Sequence, residues 1–287
     1  MGDFMSFISY SQNFEDVMLW RALKNVKNGF YIDVGANDPE EYSVTKAFYD
    51  AGWSGINIEP MPQYYNKLCE QRERDTNLPY AVSNQTGSFD LYEIKDTGLS
   101  TLDSSIAEMQ KQMGHIVETL QVETHLLEDI CEQYVDREIH FLKIDVEGFE
   151  TQVLEGMKFE KFRPWIIVVE TTEPSTGKTA EFPGETILKN SKYKNVYFDG
   201  LNSFYIDCAK LDRLERFFLY PPNVFDRYEL ISEKTLRENF QRLSGDMQRI
   251  SEEKRLLQDS IVEKDLMLAD LNDKVKNLTS IVAANFL

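Results

Sequence analysis

Two carboxylates that stand two residues apart give the clearest chemical signal in this sequence. Asp145 and Glu147 lie in "LKIDVEG", and along an extended strand residues two apart project to the same side. Such a pair can take a proton from a hydroxyl group as a general base, or it can bind a divalent cation. The structural alternative is that Asp145 accepts a loop amide and Glu147 caps the next helix. Glu170, at the end of "IIVVE", is a third acid of this kind. We predict catalytic roles for all three acids, with Asp145 as the first candidate for the base, and we assign them no metal.

A second set of residues stands at the ends of earlier apolar runs. Asp33 and then Gly35 follow "FYI", Glu59 ends "GINIE", and Val82 and Ser83 belong to "AVSN". In a doubly wound sheet, ligands bind outside the carboxyl ends of the strands. The G-x-G-x-x-G pattern of dinucleotide sites is missing, and the further acids after Gly35 would repel a pyrophosphate. A ligand with a positive centre and no phosphate fits better, and S-adenosylmethionine is such a ligand.

Each of these residues also has an ordinary structural interpretation. Asp33 could cap a strand end, Glu59 could be a surface acid before Pro60, and Ser83 could be a turn residue. Their order along the chain favours a cofactor site, in which Glu59 accepts the ribose hydroxyls and Val82 packs on the adenine.

Several blocks of the sequence, in order, resemble the FkbM-type methyltransferases: "YSQNFEDVMLW", "GFYIDVGANDP", "GINIEPMPQYYNKL", "FLKIDVEGFETQVLEGM" and "IIVVE". The resemblance spans about Ser9 to Leu230. It implies a Rossmann-like, S-adenosylmethionine-dependent enzyme, from a family that mostly methylates oxygens of sugars and natural products. Together with the pattern above, it predicts the cofactor contacts Asp33, Gly35, Asn37, Glu59, Pro60, Val82, Ser83 and Asp145.

The resemblance also implies residues near the acceptor. Lys143 would face the methionine part and the acceptor, and Gln12 and Glu15 would close over the cofactor. The family often has a glycine beyond the asparagine, where this chain has Asp38 and Pro39. We therefore expect a stiffer turn there, and the departure leaves open a non-catalytic scaffold with a decayed methyltransferase domain.

These residues need strands that end at one edge of a sheet, and the apolar runs predict such strands. Strand-like and helix-like runs alternate, which predicts an α/β, doubly wound, Rossmann-like sheet in residues 1–229. The predicted strands are Phe30–Val34, Gly55–Ile58, Leu78–Val82, His140–Ile144, Trp165–Glu170, Val196–Phe198 and Ser203–Ile206. The predicted helices are Ser43–Ala51, Gln63–Arg72, Leu126–Tyr134, Glu150–Leu154 and Gly184–Asn190. We also predict a local hairpin at "QTGSFDLYEI", and a helix followed by a strand within Asp103–His125.

A heptad pattern replaces this alternation in residues 230–287. One seam position reads Phe240, Met247, Lys254, Ile261, Leu268, Val275 and Val282, and the other reads Leu236, Leu243, Ile250, Leu257, Lys264, Leu271, Leu278 and Asn285. This pattern predicts a long coiled-coil helix that serves as an oligomerisation stalk. The seam composition suits two or three parallel chains and leaves antiparallel pairing open.

The composition narrows the classes of partner. The net charge is −18, and residues 230–287 are nearly neutral, so the first 229 residues form an acidic body that is unsuited to nucleic acid. The three cysteines are widely spaced and form no metal or disulfide pattern, and no run is apolar enough to span a membrane. With no signal-peptide pattern either, we expect a cytoplasmic protein, held at the inner membrane by partners.

The sequence therefore predicts an S-adenosylmethionine-dependent O-methyltransferase that acts on a sugar hydroxyl of a bacterial surface polysaccharide and caps the growing chain. The expected partners are a glycan or lipid-linked polysaccharide, further copies of the chain through the coiled coil, and a glycosyltransferase complex. A methyltransferase for a small-molecule acceptor and the scaffold described above are the alternatives.

Overall fold

A computed structural model of the protein describes residues 7–95, 97–172 and 182–285. The chain divides between Leu230 and Ile231 into two compact units. Within the described ranges, no helix combines the length and the apolar character that crossing a bilayer requires. Cys69, Cys131 and Cys208 are free thiols.

The first unit contains short strands connected by helices and loops. In chain order its strands are β1 (Phe7–Ser9), β2 (Phe30–Val34), β3 (Ser54–Ile58), β4 (Thr76–Leu78), β5 (Ala81–Val82), β6 (Gly87–Ile94), β7 (Leu99–Thr101), β8 (Val117–His125), β9 (Phe141–Ile144), β10 (Ile166–Glu170), β11 (Tyr193–Phe198), β12 (Asn202–Asp207) and β13 (Tyr228–Leu230). Its helices are α1 (Glu15–Leu23), α2 (Lys46–Asp50), α3 (Pro62–Gln71), α4 (Ser104–Gln112), α5 (Leu127–Tyr134), α6 (Glu150–Glu155), α7 (Gly184–Asn190) and α8 (Leu211–Leu214).

The central sheet has seven strands in the order β11-β12-β10-β9-β2-β3-β4. Strands β10, β9, β2, β3 and β4 run parallel, whereas β12 runs antiparallel to both of its neighbours. All five residues of β2 are buried, as expected for an apolar run covered on both faces. The predicted α/β fold followed by a long C-terminal helix is confirmed.

Two apolar clusters cover the two faces of this sheet, because alternate residues of each strand point to opposite sides. Ile32 and Val34 of β2 pack in one cluster with side chains from α5, α6 and α7. Tyr31 of β2 packs in the other cluster with side chains from α1, α2 and α8. Asp33 shares the face of Tyr31, and Lys143 lies beside it in register on β9.

A second sheet, in the order β5-β8-β6-β7, follows β4. The predicted strand Leu78–Val82 is wrong as a single strand, because it divides into β4 in the central sheet and β5 in the second sheet. Pro79, which cannot donate a ladder hydrogen bond, lies at the division. The segment of the predicted hairpin, residues 85–94, contains one strand, β6. This strand forms a hairpin with β7, which lies beyond the predicted segment, and pairs along its whole length with β8.

The second unit is a single helix, α9 (Ile231–Asn285), of 55 residues. At a rise of about 1.5 Å per residue it is roughly 80 Å long. Its exposed apolar side chains include twelve at the predicted seam positions, from Leu236 to Val282.

Candidate functional site

A cavity of about 490 Å³ lies outside the carboxyl ends of β2, β3 and β9. β2 has β3 on one side and β9 on the other, so the strand order reverses at β2. Such a switch point is where open α/β sheets bind ligands. The volume suits a ligand of the size of a nucleoside cofactor.

Gly35 allows the loop after β2 to pass close to the loop after β9. Its φ is +78°, and a Cβ at this position would overlap the carbonyl oxygen of Asp145. The amide of Gly35 donates to the carbonyl oxygen of Ile58 at 3.0 Å, which joins the same loop to β3. A side chain at position 35 would therefore separate the elements that form the cavity floor.

Glu59, just after β3, is buried at the cavity wall and is held by two backbone amides. Its Oε2 accepts a hydrogen bond from the amide of Asn37 at 2.8 Å, and its Oε1 accepts one from the amide of Met61 at 2.8 Å. Burial raises the pKa of Glu59 to about 7, although these two amides act in the opposite direction. Each carboxylate oxygen keeps a further lone pair, so Glu59 can accept hydrogen bonds from the hydroxyls of a ligand.

The turn at Asp38 and Pro39 is shaped by side-chain hydrogen bonds. Asp38 Oδ1 accepts from the amides of Glu40 and Glu41, and Asp38 Oδ2 lies 2.7 Å from Lys67 Nζ. These contacts tie the turn to the two residues that follow it and to α3, and the cavity remains open beside it.

Arg72 supports this turn from below. Its side chain is completely buried and donates to the carbonyl oxygen of Pro39 at 2.6 Å and to Ser43 Oγ at 2.9 Å. Asp75, 3.9 Å away, supplies the opposing charge and also accepts a hydrogen bond from Tyr31 Oη. The rim of the cavity is thereby tied to the core of the sheet.

Lys143 on β9 connects two carboxylates beneath the cavity. Its Nζ lies 3.1 Å from Asp145 Oδ2 and 3.7 Å from Asp33 Oδ1, and it is 12% exposed. Burial opposes its charge, but the attraction of Asp145 and Asp33 raises the pKa of Lys143 above its ordinary value. The ammonium group is therefore a fixed positive charge in this part of the site.

Asp33 is 1% exposed and lies behind the cavity wall. Thr45 Oγ1 donates to its Oδ2 at 3.1 Å, while its Oδ1 accepts no hydrogen bond from the described residues. Burial raises the pKa of Asp33, and the nearby Lys143 opposes that shift. The position indicates that Asp33 orients Lys143.

The carboxylates of Asp145, Glu147 and Glu170 form a cluster in which one oxygen of each lies within 4.8 Å of the others. Burial would raise the pKa of Asp145, but Lys143 and a hydrogen bond with Glu170 lower it below its ordinary value. Burial and repulsion by Asp145 raise the pKa of both Glu147 and Glu170. The cluster therefore holds a charged Asp145 beside two carboxyls that keep protons to higher pH. Three carboxylates this close could also ligate a divalent cation.

Glu150, which the sequence analysis did not single out, shapes the loop that carries this cluster. Its Oε1 accepts from the amides of Val146 at 3.2 Å and Gly148 at 3.0 Å. Glu147 has a positive φ of 53°, and Thr101 Oγ1 donates to its carbonyl oxygen at 2.6 Å. The loop amides are thus held by Glu150, the first residue of α6, and not by Asp145.

Gln12 and Glu15, from the segment around the start of α1, form another part of the wall. Glu15 Oε1 accepts a hydrogen bond from Asn202 Nδ2 at 2.8 Å, and Oε2 accepts from the amide of Asn13 at 2.9 Å. Burial raises the pKa of Glu15 to about 6. This wall therefore adds a further buried acid to the site.

The second sheet and α3 provide lining residues that the sequence analysis missed. Tyr80 and Leu91 come from the second sheet and its approach, and residues 97–100 and 102 come from the turn around β7. Tyr64 and Lys67 are three residues apart on α3, a spacing that places them on one helix face. That spacing could have been read from the sequence, but nothing local marks the turn around β7.

Ten of the predicted site residues line the cavity: Gln12, Glu15, Gly35, Asn37, Glu59, Pro60, Val82, Lys143, Asp145 and Glu147. Three others do not. Asp33 lies behind Lys143, Glu170 belongs to the acid cluster, and Ser83 is buried with its Oγ donating to Asn84 Oδ1 at 3.3 Å.

Comparison with known families gives a match to residues 33–204, for the family described as the methyltransferase FkbM domain. The match covers more than half of the chain and runs from β2 into β12, so it includes most of the strands and loops around the cavity. Among curated proteins, no match is found.

Proposed function

The chain belongs to the FkbM methyltransferase family, and on this basis we propose that it transfers the methyl group of S-adenosylmethionine to a sugar hydroxyl of a bacterial surface polysaccharide. The first unit would carry the reaction. A cytoplasmic location, at the membrane face where lipid-linked glycans are assembled, belongs to the same proposal.

The charge of the cavity wall is the observation that carries this proposal. Among the described lining residues, acids outnumber lysines, and both lysines are paired with an acid: Lys67 with Asp38 and Lys143 with Asp145. A cofactor with a diphosphate would meet repulsion without an unpaired lysine to offset it. A nucleoside with a positive sulfonium centre would instead be attracted by the acids of the cavity wall.

The residues present fit S-adenosylmethionine by their chemistry. Glu59 would accept hydrogen bonds from the ribose hydroxyls, and Val82 with Tyr80 provides an apolar surface for the adenine. Gly35 and Asn37 would lie beside the methionine part. The bound cofactor supplies an electrophilic methyl group, and the protein's own contribution is alignment and proton removal.

Glu147 is the best placed of the three acids to accept the hydroxyl proton. It lines the cavity, whereas Glu170 does not, and its raised pKa makes its ionised form a stronger base than that of Asp145. Asp145, held ionised by Lys143, would orient the acceptor hydroxyl or its neighbour. This assignment moves the base from Asp145, the first candidate from sequence, to Glu147.

Calorimetric titration with S-adenosylmethionine tests the proposal most directly. We expect saturable binding by the wild-type protein, and much weaker binding of NAD, which has the same adenosine but also carries a diphosphate. Transfer of a labelled methyl group to polysaccharide fractions then tests the acceptor. Equal affinity for the two compounds would contradict the argument from the cavity charge, and absence of binding to either would favour the scaffold alternative.

We further propose that methylation of the terminal sugar stops chain growth, and that the length of α9 sets the distance to a glycosyltransferase complex. The motivating observation is a helix of 55 residues that follows the FkbM methyltransferase domain along the chain. Deleting whole heptads from α9 should change the polysaccharide length distribution while leaving methyl transfer intact. Unchanged chain lengths would contradict the spacing role.

A further inference from the structure

We propose that Thr101, at the end of β7, is a positioning residue for Glu147. Its hydroxyl holds the backbone of Glu147 in a conformation that presents the carboxylate to the cavity. The inference rests on the proposed function, because it takes Glu147 as the base. It goes beyond that function by giving the second sheet, to which β7 belongs, a part in determining the rate of methyl transfer.

The loop after β9 contains two consecutive residues with left-handed backbone conformations. The φ angle is +53° at Glu147 and +100° at Gly148. Glycine adopts such angles readily, whereas a residue with a long side chain keeps them only where its surroundings impose them. The φ angle of a residue also sets the direction of its own Cβ. A relaxation of Glu147 to a negative φ would therefore re-aim its side chain, which now lines the cavity.

Thr101 holds this loop at the carbonyl group of Glu147. Thr101 Oγ1 donates to that carbonyl oxygen at 2.6 Å and accepts a hydrogen bond from the amide of Asp103 at 3.0 Å. An amide can only donate and a carbonyl oxygen can only accept, so these two partners direct the hydroxyl proton towards Glu147. Thr101 is 1% exposed, so its bond to the loop is shielded from water.

The helix that follows β7 contacts the same loop. A Cβ at Gly148 would lie 2.5 Å from Cδ1 of Ile106, so the side chain of Ile106 packs closely over Gly148. The start of the same segment is connected to the loop after β2, because Asn37 Nδ2 donates to the carbonyl oxygen of Gly98 at 3.1 Å. Residues 98–106 therefore join the two loops that lie at opposite ends of the proposed reaction site.

Thr101 can influence the reaction only through this loop. It is not among the described residues that line the cavity, whereas its neighbours Ser100 and Leu102 are. It therefore contacts neither the proposed cofactor nor the acceptor, and a slower reaction after its substitution would come from a misplaced Glu147. A displacement of about 1 Å in a reacting group can lower a rate roughly 100-fold, so one hydrogen bond to the loop backbone is sufficient.

Thr101→Val tests this role, because valine keeps the shape of threonine and lacks its hydroxyl. The assay measures transfer of a labelled methyl group from S-adenosylmethionine to polysaccharide fractions. The kcat should fall about 10- to 100-fold, while the acceptor KM and the Kd of S-adenosylmethionine stay within about twofold of wild type. Thr101→Ser, which keeps the hydroxyl, should recover most of the kcat. A wild-type kcat in Thr101→Val, or an equal loss of S-adenosylmethionine binding, would overturn the proposal.

Thr124→Val is the matched control. Thr124 belongs to the same sheet and is 0% exposed, and its Oγ1 donates to the carbonyl oxygens of Gln85 and Gly87, outside the loop after β9. The substitution removes the same kind of buried hydrogen bond and should leave kcat close to wild type. An equal loss of kcat in both valine variants would show that Thr101→Val acts through the stability of the sheet, which would also overturn the proposal.

Ile106→Ala perturbs the loop without removing a hydrogen bond. It shortens the side chain that packs over Gly148 and should lower kcat about three- to tenfold, with unchanged binding of S-adenosylmethionine. If Thr101→Val does not fold, this variant decides the question. A lowered kcat then supports the proposal, and a wild-type kcat overturns it.

A double-mutant cycle with Glu147→Gln shows whether Thr101 acts through Glu147. Once the base is removed, Thr101→Val should cause no further loss of the residual rate, because residues that act as a unit are not additive. The same fold-loss in both backgrounds would overturn the proposal. A wild-type protein without methyl transfer, or a Glu147→Gln variant with the full rate, would refute the proposed function and this inference with it. An active, Glu147-dependent enzyme that is insensitive to Thr101→Val would refute this inference alone.

Discussion

Replacing Lys143 with methionine removes the cation that stands between two carboxylates. Asp33 would then keep its hydrogen bond from Thr45 but lose its opposing charge in a site where it is 1% exposed. Removing one member of a buried ion pair costs about 3–5 kcal/mol in the free energy of unfolding. Methionine keeps most of the length and volume of the lysine stem, so we expect the loss to come from charge and not from a cavity. Urea denaturation at about pH 8 measures it.

The loss should depend on pH with a defined sign. Burial raises the pKa of Asp33 in the folded state, and without Lys143 it rises further above the unfolded value of about 3.9. Between these two values the folded protein holds a proton that the unfolded chain has released, so stability falls as the pH rises. The deficit of Lys143→Met relative to wild type should be small below about pH 4 and grow towards pH 8. Adding Asp33→Asn should recover the part of the deficit that comes from Asp33, because asparagine can still accept from Thr45. The part that comes from Asp145, whose pKa Lys143 lowers, should remain.

Lys67→Met is the matched control. Lys67 also lines the cavity and lies 2.7 Å from an aspartate, Asp38, but its side chain is 49% exposed. Exposed pairs contribute about 0–1 kcal/mol, so this variant should remain close to wild type. If Lys143→Met costs no more than Lys67→Met, or if its cost is the same at all pH values, the assigned role of Lys143 is refuted.

Three further variants test the cavity. Glu59→Gln should weaken S-adenosylmethionine binding about 10- to 100-fold in calorimetry. The substitution replaces one carboxylate oxygen with an NH2 group that faces a backbone N–H, and the charge-assisted hydrogen bonds of the carboxylate are lost. An unchanged affinity would exclude Glu59 from the ribose site. Burial and the nearby Asp145 raise the pKa of Glu147, so the rate of wild-type methyl transfer should increase with pH as Glu147 becomes ionised. Glu147→Gln should lower that rate about 10²- to 10⁴-fold and remove its pH dependence. A variant that keeps the wild-type pH profile would show that another group is the base. Gly35→Ala should abolish cofactor binding or folding, as seen by calorimetry and circular dichroism, because its Cβ would overlap the Asp145 carbonyl at a positive φ; normal binding would show that the two loops can separate.

The parts of the fold that could be predicted from sequence are those with a local signal. Phe30–Val34 is a continuous β-forming run and is the strand β2 with the same bounds. The predicted strand Leu78–Val82 had the right apolar composition, but Pro79 divides it between two sheets. The pairing of β6 with β8 joins Gly87 to Thr124, a contact between distant segments that neither segment specifies by itself. Residues at strand ends were therefore found more readily than the wall built by the second sheet.

The residues of the candidate site also divide into those with a local sequence signal and those that depend on distant segments. Glu59 and Asp145 follow strands directly, so the topology of a parallel sheet brings them to one edge without further information. Arg72 would be expected at the surface of a charged helix end, yet it is completely buried because Asp75 and two oxygen acceptors surround it. Glu150 similarly reads as an ordinary acid in a first helical turn. Buried polar networks depend on several distant partners at once, and no pattern of residue spacing encodes them.

Because Arg72 fastens the cavity rim to the interior, the rim cannot detach without leaving hydrogen-bond donors of a buried guanidinium unsatisfied. Melting of the first unit and loss of its binding cavity should consequently be a single event. Any compound that occupies the cavity would then raise the melting temperature in proportion to the logarithm of its concentration above its dissociation constant. A thermal-shift screen of nucleosides and oligosaccharides could thus test for the proposed cofactor and the proposed acceptor before any reaction product is known.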